Sequence, residues 1–142
     1  MILVDANLLI YAINRDAVHH KQARNWLEQM LSGTEEVGLA WIVILAFIRI
    51  TTHPRIMPKP LSCEEAIAYI DDWLNQPFVT LVNTRENHWP IFRNLLKSTG
   101  TAGNLTSDVH IAALAIEHGA KIYSADYDFN RFAEITHINP LA

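Results

Sequence analysis

The sequence predicts an α/β fold, a parallel β-sheet flanked by helices on both faces, in one domain spanning residues 1–142. Three observations predict it. Short apolar runs rich in β-formers appear at Ile2–Val4, Phe78–Val82 and Lys121–Ser124. The stretches between them carry helical spacing, which calls for parallel crossovers rather than hairpins. The length suits one domain, because a chain near 150 residues buries roughly 70% of its unfolded surface.

The elements follow in order. Ile2-Leu3-Val4 reads as a buried strand that ends at an acid, Asp5. Asn7 to Ile13 turns from strand to helix. His19 to Leu31 is amphipathic, with Ala23, Trp26, Leu27 and Met30 on one face, and Gly33 is expected to end it. Leu39 to Thr51 is apolar nearly all round and reads as a buried helix, with Trp41 packed in the core. His53-Pro54 stops it, and Pro54 to Pro60 is a loop. Ser62-Cys63-Glu64-Glu65 fits a capping box opening a helix to about Leu74. Phe78 to Val82 is the second strand. Trp89 to Lys97 is a helix, and Pro90 in its first turn places the N-cap at Asn87. Gly100 to Gly103 is a loop, and Thr106 to His118 is a helix with almost no polar face, closed by Gly119. Lys121 to Ser124 is the third strand, and Ile135 to Ile138 a candidate fourth. No repeat, linker or low-complexity segment interrupts them.

Eleven basic residues against fifteen acidic ones give a formal net charge of −4. That argues against bulk electrostatic binding of nucleic acid but leaves room for a local basic groove. Cys63 is the only cysteine, so an intrachain disulfide and a cysteine-based zinc site are both excluded. A reduced, cytoplasmic setting fits this. Met1 to Asp5 does not read as a signal peptide. The apolar run Val37 to Ile48 is broken by Gly38 and falls short of the roughly 20 residues a bilayer requires, so no membrane role is expected.

In parallel sheets, ligands bind beyond the carboxyl ends of the strands. Asp5 follows the first strand, Asp126 and Asp128 follow the third, and Asp108 opens the helix that feeds the third. Carboxylates gathered there repel, by about 1 kcal/mol per pair at 4 Å in water and roughly 4 near a protein surface. Either some are protonated or a cation sits among them. Oxygen ligands without cysteine suit Mg²⁺ or Mn²⁺, which activates water and neutralises phosphate. Plainer roles compete. Asp108 also suits a helix cap, and Asp126 and Asp128 suit a turn. Other aspartate chemistries fit poorly. A phosphatase of the haloacid-dehalogenase type needs an Asp where Asn7 stands and a hydroxyl where Leu9 stands. Gly100 to Asn104 lacks the lysine of a phosphate-binding loop, and no Gly-x-Ser-x-Gly elbow is present.

Three segments together resemble a known family. Ile2-Leu-Val-Asp5-Ala-Asn7 resembles the opening of PIN-domain nucleases, Gly103 to Gly119 their central acidic helix, and Ser124-Ala-Asp126-Tyr-Asp128-Phe129 their closing segment. Within that family the chain is most similar to VapC-type toxins of type II toxin–antitoxin pairs. The resemblance covers the whole chain. It implies a Mg²⁺- or Mn²⁺-dependent endoribonuclease that leaves a 5′-phosphate, an antitoxin partner that blocks the cleft, and a homodimer. Asp5, Asp108 and Asp126 correspond to the acidic cluster, with Asp128 as an additional metal-site member. Asn7 and Ser124 would support Asp5 and Asp126 by hydrogen bonding on the substrate side.

The sequence departs from the family at one place. The family places a Glu on the third helix ahead of an Arg, and here Ala46 precedes Phe47-Ile48-Arg49. Glu35 and Glu36 are too far along the chain to replace it, and water or the hydroxyls of Thr51 or Thr52 are the candidates to fill the gap. The missing acid supports an alternative: a catalytically weakened binding protein that keeps the fold and pairs with an antitoxin or RNA.

None of the seven histidines has a zinc spacing. His19-His20 is expected to face solvent and His118 to suit a helix C-terminus. His110, near the acids, is a candidate phosphate contact. Arg49, His53, Arg55 and Lys59 form a basic run that reads either as a solvated loop or as phosphate contacts. Tyr127 and Trp41 are candidates for stacking on unpaired bases, with core packing the competing role for Trp41.

Overall fold

A computed structural model describes all residues 1–142. Its elements are β1 (Ile2–Val4), α1 (Ala6–Ile13), α2 (His20–Leu31), β2 (Val37–Ala40), α3 (Trp41–Thr51), α4 (Cys63–Leu74), β3 (Val79–Val82), α5 (His88–Thr99), α6 (Thr106–His118), β4 (Lys121–Tyr123) and β5 (His137–Ile138). The five strands form one sheet in the order β3-β2-β1-β4-β5. Every pairing is parallel, with Leu3 opposite Gly38 on one side and Ile122 on the other. Successive strand residues point to opposite faces. All three residues of β1 and all four of β2 are buried, so helices cover both faces there. α1 packs against α2 and α3, α3 against α4, and α5 against α6, which also contacts β4. No helix is long and apolar enough to cross a membrane.

Most predicted elements occur within a residue or two of their expected bounds. The Ser62–Glu65 capping box is present, with both hydrogen bonds at 3.0–3.1 Å. Asn87 is the N-cap of α5, and Gly119 closes α6 in the left-handed region at φ 61°. The last strand is real but short.

Some expectations are corrected. The apolar run expected as one helix from Leu39 divides into β2 and α3, with the turn at Ala40. A strand buried on both faces and a buried helix look alike in hydropathy, so periodicity had no purchase there. The division also rotates Trp41 outward. Val43, Ile44, Phe47 and Thr51 form the inner face of α3, while Trp41, Leu45 and Arg49 share the outer one, and Trp41 is 51% exposed. Gly33 follows the C-cap Ser32 of α2, its N–H donating to the Met30 carbonyl at 3.3 Å. His20 is also tied down, its Nδ1 2.9 Å from the Tyr11 carbonyl, so it is not simply solvated.

Gly38 is needed for close approach. A Cβ there meets Val82 Cγ2 at 2.5 Å and Leu3 Cδ2 at 2.7 Å. Gly38→Val is therefore expected to destabilise by about 2–3 kcal/mol through overpacking between central strands. Chemical denaturation measures this, and a loss below about 0.5 kcal/mol would contradict the tight packing.

Candidate active site

The sheet runs from β1 outward through β2 to β3, then resumes on the other side of β1 with β4 and β5. The crevice between the carboxyl ends of β1 and β4 is therefore its topological switch point, where such sheets bind ligands. Asp5 leaves β1 there. Its N–H continues the ladder to the Tyr123 carbonyl at 2.9 Å, and its side chain caps α1, Oδ1 accepting from the Ala6 N–H at 2.8 Å.

Ser124 ties the two strand ends together. Its fully buried hydroxyl donates to Asp5 Oδ2 at 2.7 Å and accepts from Asn7 Nδ2 at 3.2 Å and the Asp126 N–H at 3.0 Å. Asn7 Oδ1 in turn accepts from the Ala125 N–H. One hydroxyl thus uses its donor and both lone pairs to fix two aspartates and an asparagine. Asn7 and Ser124 stand behind the aspartates and act through them. Ser124→Ala leaves several of these polar groups unmatched, so a loss of about 2–3 kcal/mol is expected in urea denaturation. A change within 0.5 kcal/mol would show the network to be dispensable.

Asp126 caps the following turn, its Oδ1 accepting from the Asp128 N–H at 2.9 Å, and buried Phe129 anchors that turn in the core. Asp128 pairs with Arg131 at 3.3 Å. Asp108 lies in the first turn of α6, where the helix dipole favours an anion. It caps nothing. The N-cap is Leu105, and no hydrogen bond engages the Asp108 carboxylate.

Oxygens of Asp108, Asp126 and Asp128 lie within 4.8 Å of one another. Asp108 also lines, with Asp5, a pocket of about 270 Å³ walled by Ile42, Ala46, Arg49, Ser107 and Ile111 among others. Burial first, then repulsion from Asp126, Asp5 and Asp128, pushes Asp108 up to about 7, while Arg131 opposes the rise. Burial also raises Asp5, against the lowering effect of the Ser124 and Ala6 hydrogen bonds. Hard oxygen donors, crowded until one of them holds its proton near neutrality, fit a divalent cation of the Mg²⁺ or Mn²⁺ type.

Arg49 is the only member of the basic run that lines this pocket. His53 accepts from the Arg55 N–H, and Lys59 lines a separate cleft with Arg15. Thr51 and Thr52 do not fill the space at Ala46, because their hydroxyls donate to the carbonyls of Phe47 and Ile48. His110 lines a neighbouring cleft instead of the acidic pocket. Burial and the nearby His88 hold it below the ordinary histidine range, with Glu117 opposing. His118 closes onto the Asn83 carbonyl at 2.9 Å. Sequence reasoning missed Ser107, Ile42 and Arg131. Arg131 carried only a weak signal, its position three residues after Asp128.

Comparison with known proteins places this geometry among relatives. The PIN domain family model matches residues 2–135. Ribonuclease VapC37 of Mycobacterium tuberculosis (strain ATCC 25618 / H37Rv) is 45% identical over 142 residues, covering 100% of this chain and 99% of that protein. Ribonuclease VapC33 of the same strain is 40% identical over 141 residues, covering 99% of each. Among solved structures, VapBC2 from Rickettsia felis, bound to a DNA fragment from the promoter, superposes with a TM-score of 0.70. It covers 98% of both chains at 22% identity, a likeness of fold.

Proposed function

The chain belongs to the PIN domain family, and we propose that within it this protein is a divalent-metal-dependent endoribonuclease, the toxin of a toxin–antitoxin pair. The observation that carries this reading is the convergence of Asp5, Asp108, Asp126 and Asp128 at the β1/β4 switch point, with Arg49 on the pocket wall. The ribonuclease names of relatives at 40–45% identity support the RNA substrate. The VapBC2 neighbour supports an antitoxin partner, which would cover the cleft.

Asp5 and Asp108 would hold the cation, with Mg²⁺ or Mn²⁺ as the expected ions, and Asp128, paired to Arg131, would be an outer member. When bound, the ion supplies positive charge against the phosphodiester and lowers the cost of forming hydroxide near neutral pH. Asp126 orients the attacking water for in-line displacement. Arg49 binds a phosphate oxygen of the strand. Asn7 and Ser124 hold the aspartates in register so that little reorganisation accompanies the chemistry. The apolar outer surfaces of α2 to α4, including Trp41 and Tyr69, are the proposed homodimer contacts.

The test is cleavage of a mixed RNA pool with Mg²⁺, Mn²⁺ or EDTA. Turnover is expected with metal, none with EDTA, and a loss of roughly 100-fold or more in Asp5→Asn. Cleavage that survives that substitution would point to a contaminating nuclease. Ala46 on the pocket wall favours a second reading, a PIN-fold binding protein with weakened catalysis, and absence of cleavage under every metal condition would select it.

A pH dependence follows from Asp108. Its proton, retained up to about pH 7 in the metal-free protein, competes with the cation. Mn²⁺ affinity is therefore expected to fall about tenfold per unit below pH 7 and to level off above it, as read by titration calorimetry. A flat profile between pH 5 and 8 would remove Asp108 from the ligand set.

A further inference from the structure

A second cleft, of about 400 Å³, opens beside the acidic pocket and shares Ile42 and Ser107 with it. Rings form most of its walls: His88, Trp89, Phe92 and His110. Trp89 is 61% exposed, and no lysine, arginine, aspartate or glutamate lines the cleft.

Behind it runs a chain of hydrogen bonds that the nuclease chemistry does not use. The Glu117 side chain, with no exposed surface, accepts from His88 Nδ1 at 2.7 Å, and its second oxygen has no partner. His88 Nε2 lies 3.0 Å from His110 Nδ1. A carboxylate only accepts, so the Nδ1 of His88 carries a hydrogen. His110 Nδ1 is engaged by His88 Nε2, and His110 Nε2 is left without a protein partner. His88 also stacks on Phe92 at 5.9 Å and 20°. Burying a carboxylate is costly. Here the carboxylate orients His88 and, through it, the His110 ring that lines the cleft.

We infer that this cleft is a subsite for one unpaired nucleobase next to the scissile phosphate, stacked on Trp89 and Phe92 and read at its polar edge by His110 Nε2. The inference rests on the ribonuclease reading above. The absence of a cationic side chain disfavours a phosphate in this cleft. A flat, uncharged ring with a polar edge matches rings that offer both a face and an unpaired ring nitrogen. A second copy of the chain would cover Trp89, but it gives no reason for a buried Glu117 to orient a ring nitrogen. The shared Ile42 and Ser107 make the base adjacent to the cleaved phosphate. His110 is then a specificity-determining residue, and His88 and Glu117 are positioning residues.

The experiment compares the full-length protein with Trp89→Ala, Trp89→Phe, His110→Ala and Glu117→Gln on an RNA pool randomised around the cut, with Mn²⁺ and sequencing of the product ends. The wild type is expected to prefer certain bases at one position beside the cut. Trp89→Ala raises KM about tenfold, more than it lowers kcat, and flattens that preference. Trp89→Phe retains the preference. His110→Ala and Glu117→Gln relax it at the same position. Because Trp89 is exposed, its truncation leaves the fold standing. Unchanged preference in Trp89→Ala and His110→Ala overturns the subsite while leaving the nuclease reading intact. Should the wild type cleave nothing, the nuclease reading fails separately. The subsite is then read by binding of the same oligonucleotides, where Trp89→Ala must weaken affinity about tenfold or the proposal is overturned. A dimer that dissociates in Trp89→Ala with binding unchanged assigns the face to a second copy and overturns it too.

Discussion

Asp108→Asn is expected to lower RNA cleavage by roughly 100-fold or more and at the same time to stabilise the metal-free protein at pH 8. The opposite signs have one cause. Burial and three neighbouring carboxylates make the charged form of Asp108 unfavourable, lifting it from 3.8 to about 7. Between those values the folded chain binds a proton that the unfolded chain has released, so stability falls as pH rises through that window. Above pH 7 the folded protein carries the full repulsion, which Asn removes. For a side chain that is only partly buried, screening leaves about 1–2 kcal/mol of gain. Losing an anion at the α6 N-terminus offsets about 0.5 kcal/mol of it. Urea denaturation in EDTA should therefore show Asn stabler by about 1 kcal/mol at pH 8 and the gain vanishing near pH 4. A loss of stability at pH 8 would mean that Asp108 serves the helix and not a cation.

The acids of this site were legible because each stands at an element boundary that the sequence marks. Asp5 closes a buried strand, Asp126 and Asp128 follow another, and Asp108 opens a helix that has no polar face. Their convergence then required only that β1 and β4 be neighbours, which parallel crossovers allow and the observed strand order provides. What stayed hidden depended on contacts across long separations. His88 meets Glu117 across 29 positions, and no local pattern announces it. The support of Asp5 by Ser124, across 119 positions, was expected only from the family resemblance. β2 was lost for a different reason. Strand and helix adjoin without a polar or breaking residue between Val37 and Ile48, apart from Gly38, and the hydropathy is continuous through the junction. The misplacement of Trp41 has a related cause: α3 is apolar nearly all round, so hydropathy does not mark which of its faces turns inward.

Ala46→Glu is expected to tighten Mn²⁺ binding about tenfold or more. The residue lines the pocket with Asp5, Asp108 and Arg49, at the position where the family places an acid. One carboxylate about 4 Å from a unit charge contributes roughly 4 kcal/mol at an effective dielectric constant of 20, and a divalent ion doubles the attraction. Repulsion from Asp5 and Asp108 in the metal-free state takes part of it back, and Arg49, three residues along the same helix, competes for the new side chain. A net gain of about 1.4 kcal/mol or more remains, which is the tenfold. The same repulsion should cost the metal-free protein about 1 kcal/mol. Ala46→Gln, of equal size and no charge, separates filling the pocket from charging it and should not tighten binding. Calorimetric titration of Mn²⁺ reads all three proteins. If the Glu variant binds no tighter than the Gln variant, the cation does not sit beside Ala46. The variant also divides the two functional readings. In an active nuclease, cleavage by wild type and Ala46→Glu converges once metal saturates both. In a binding protein weakened by the missing acid, only Ala46→Glu cleaves at saturating metal.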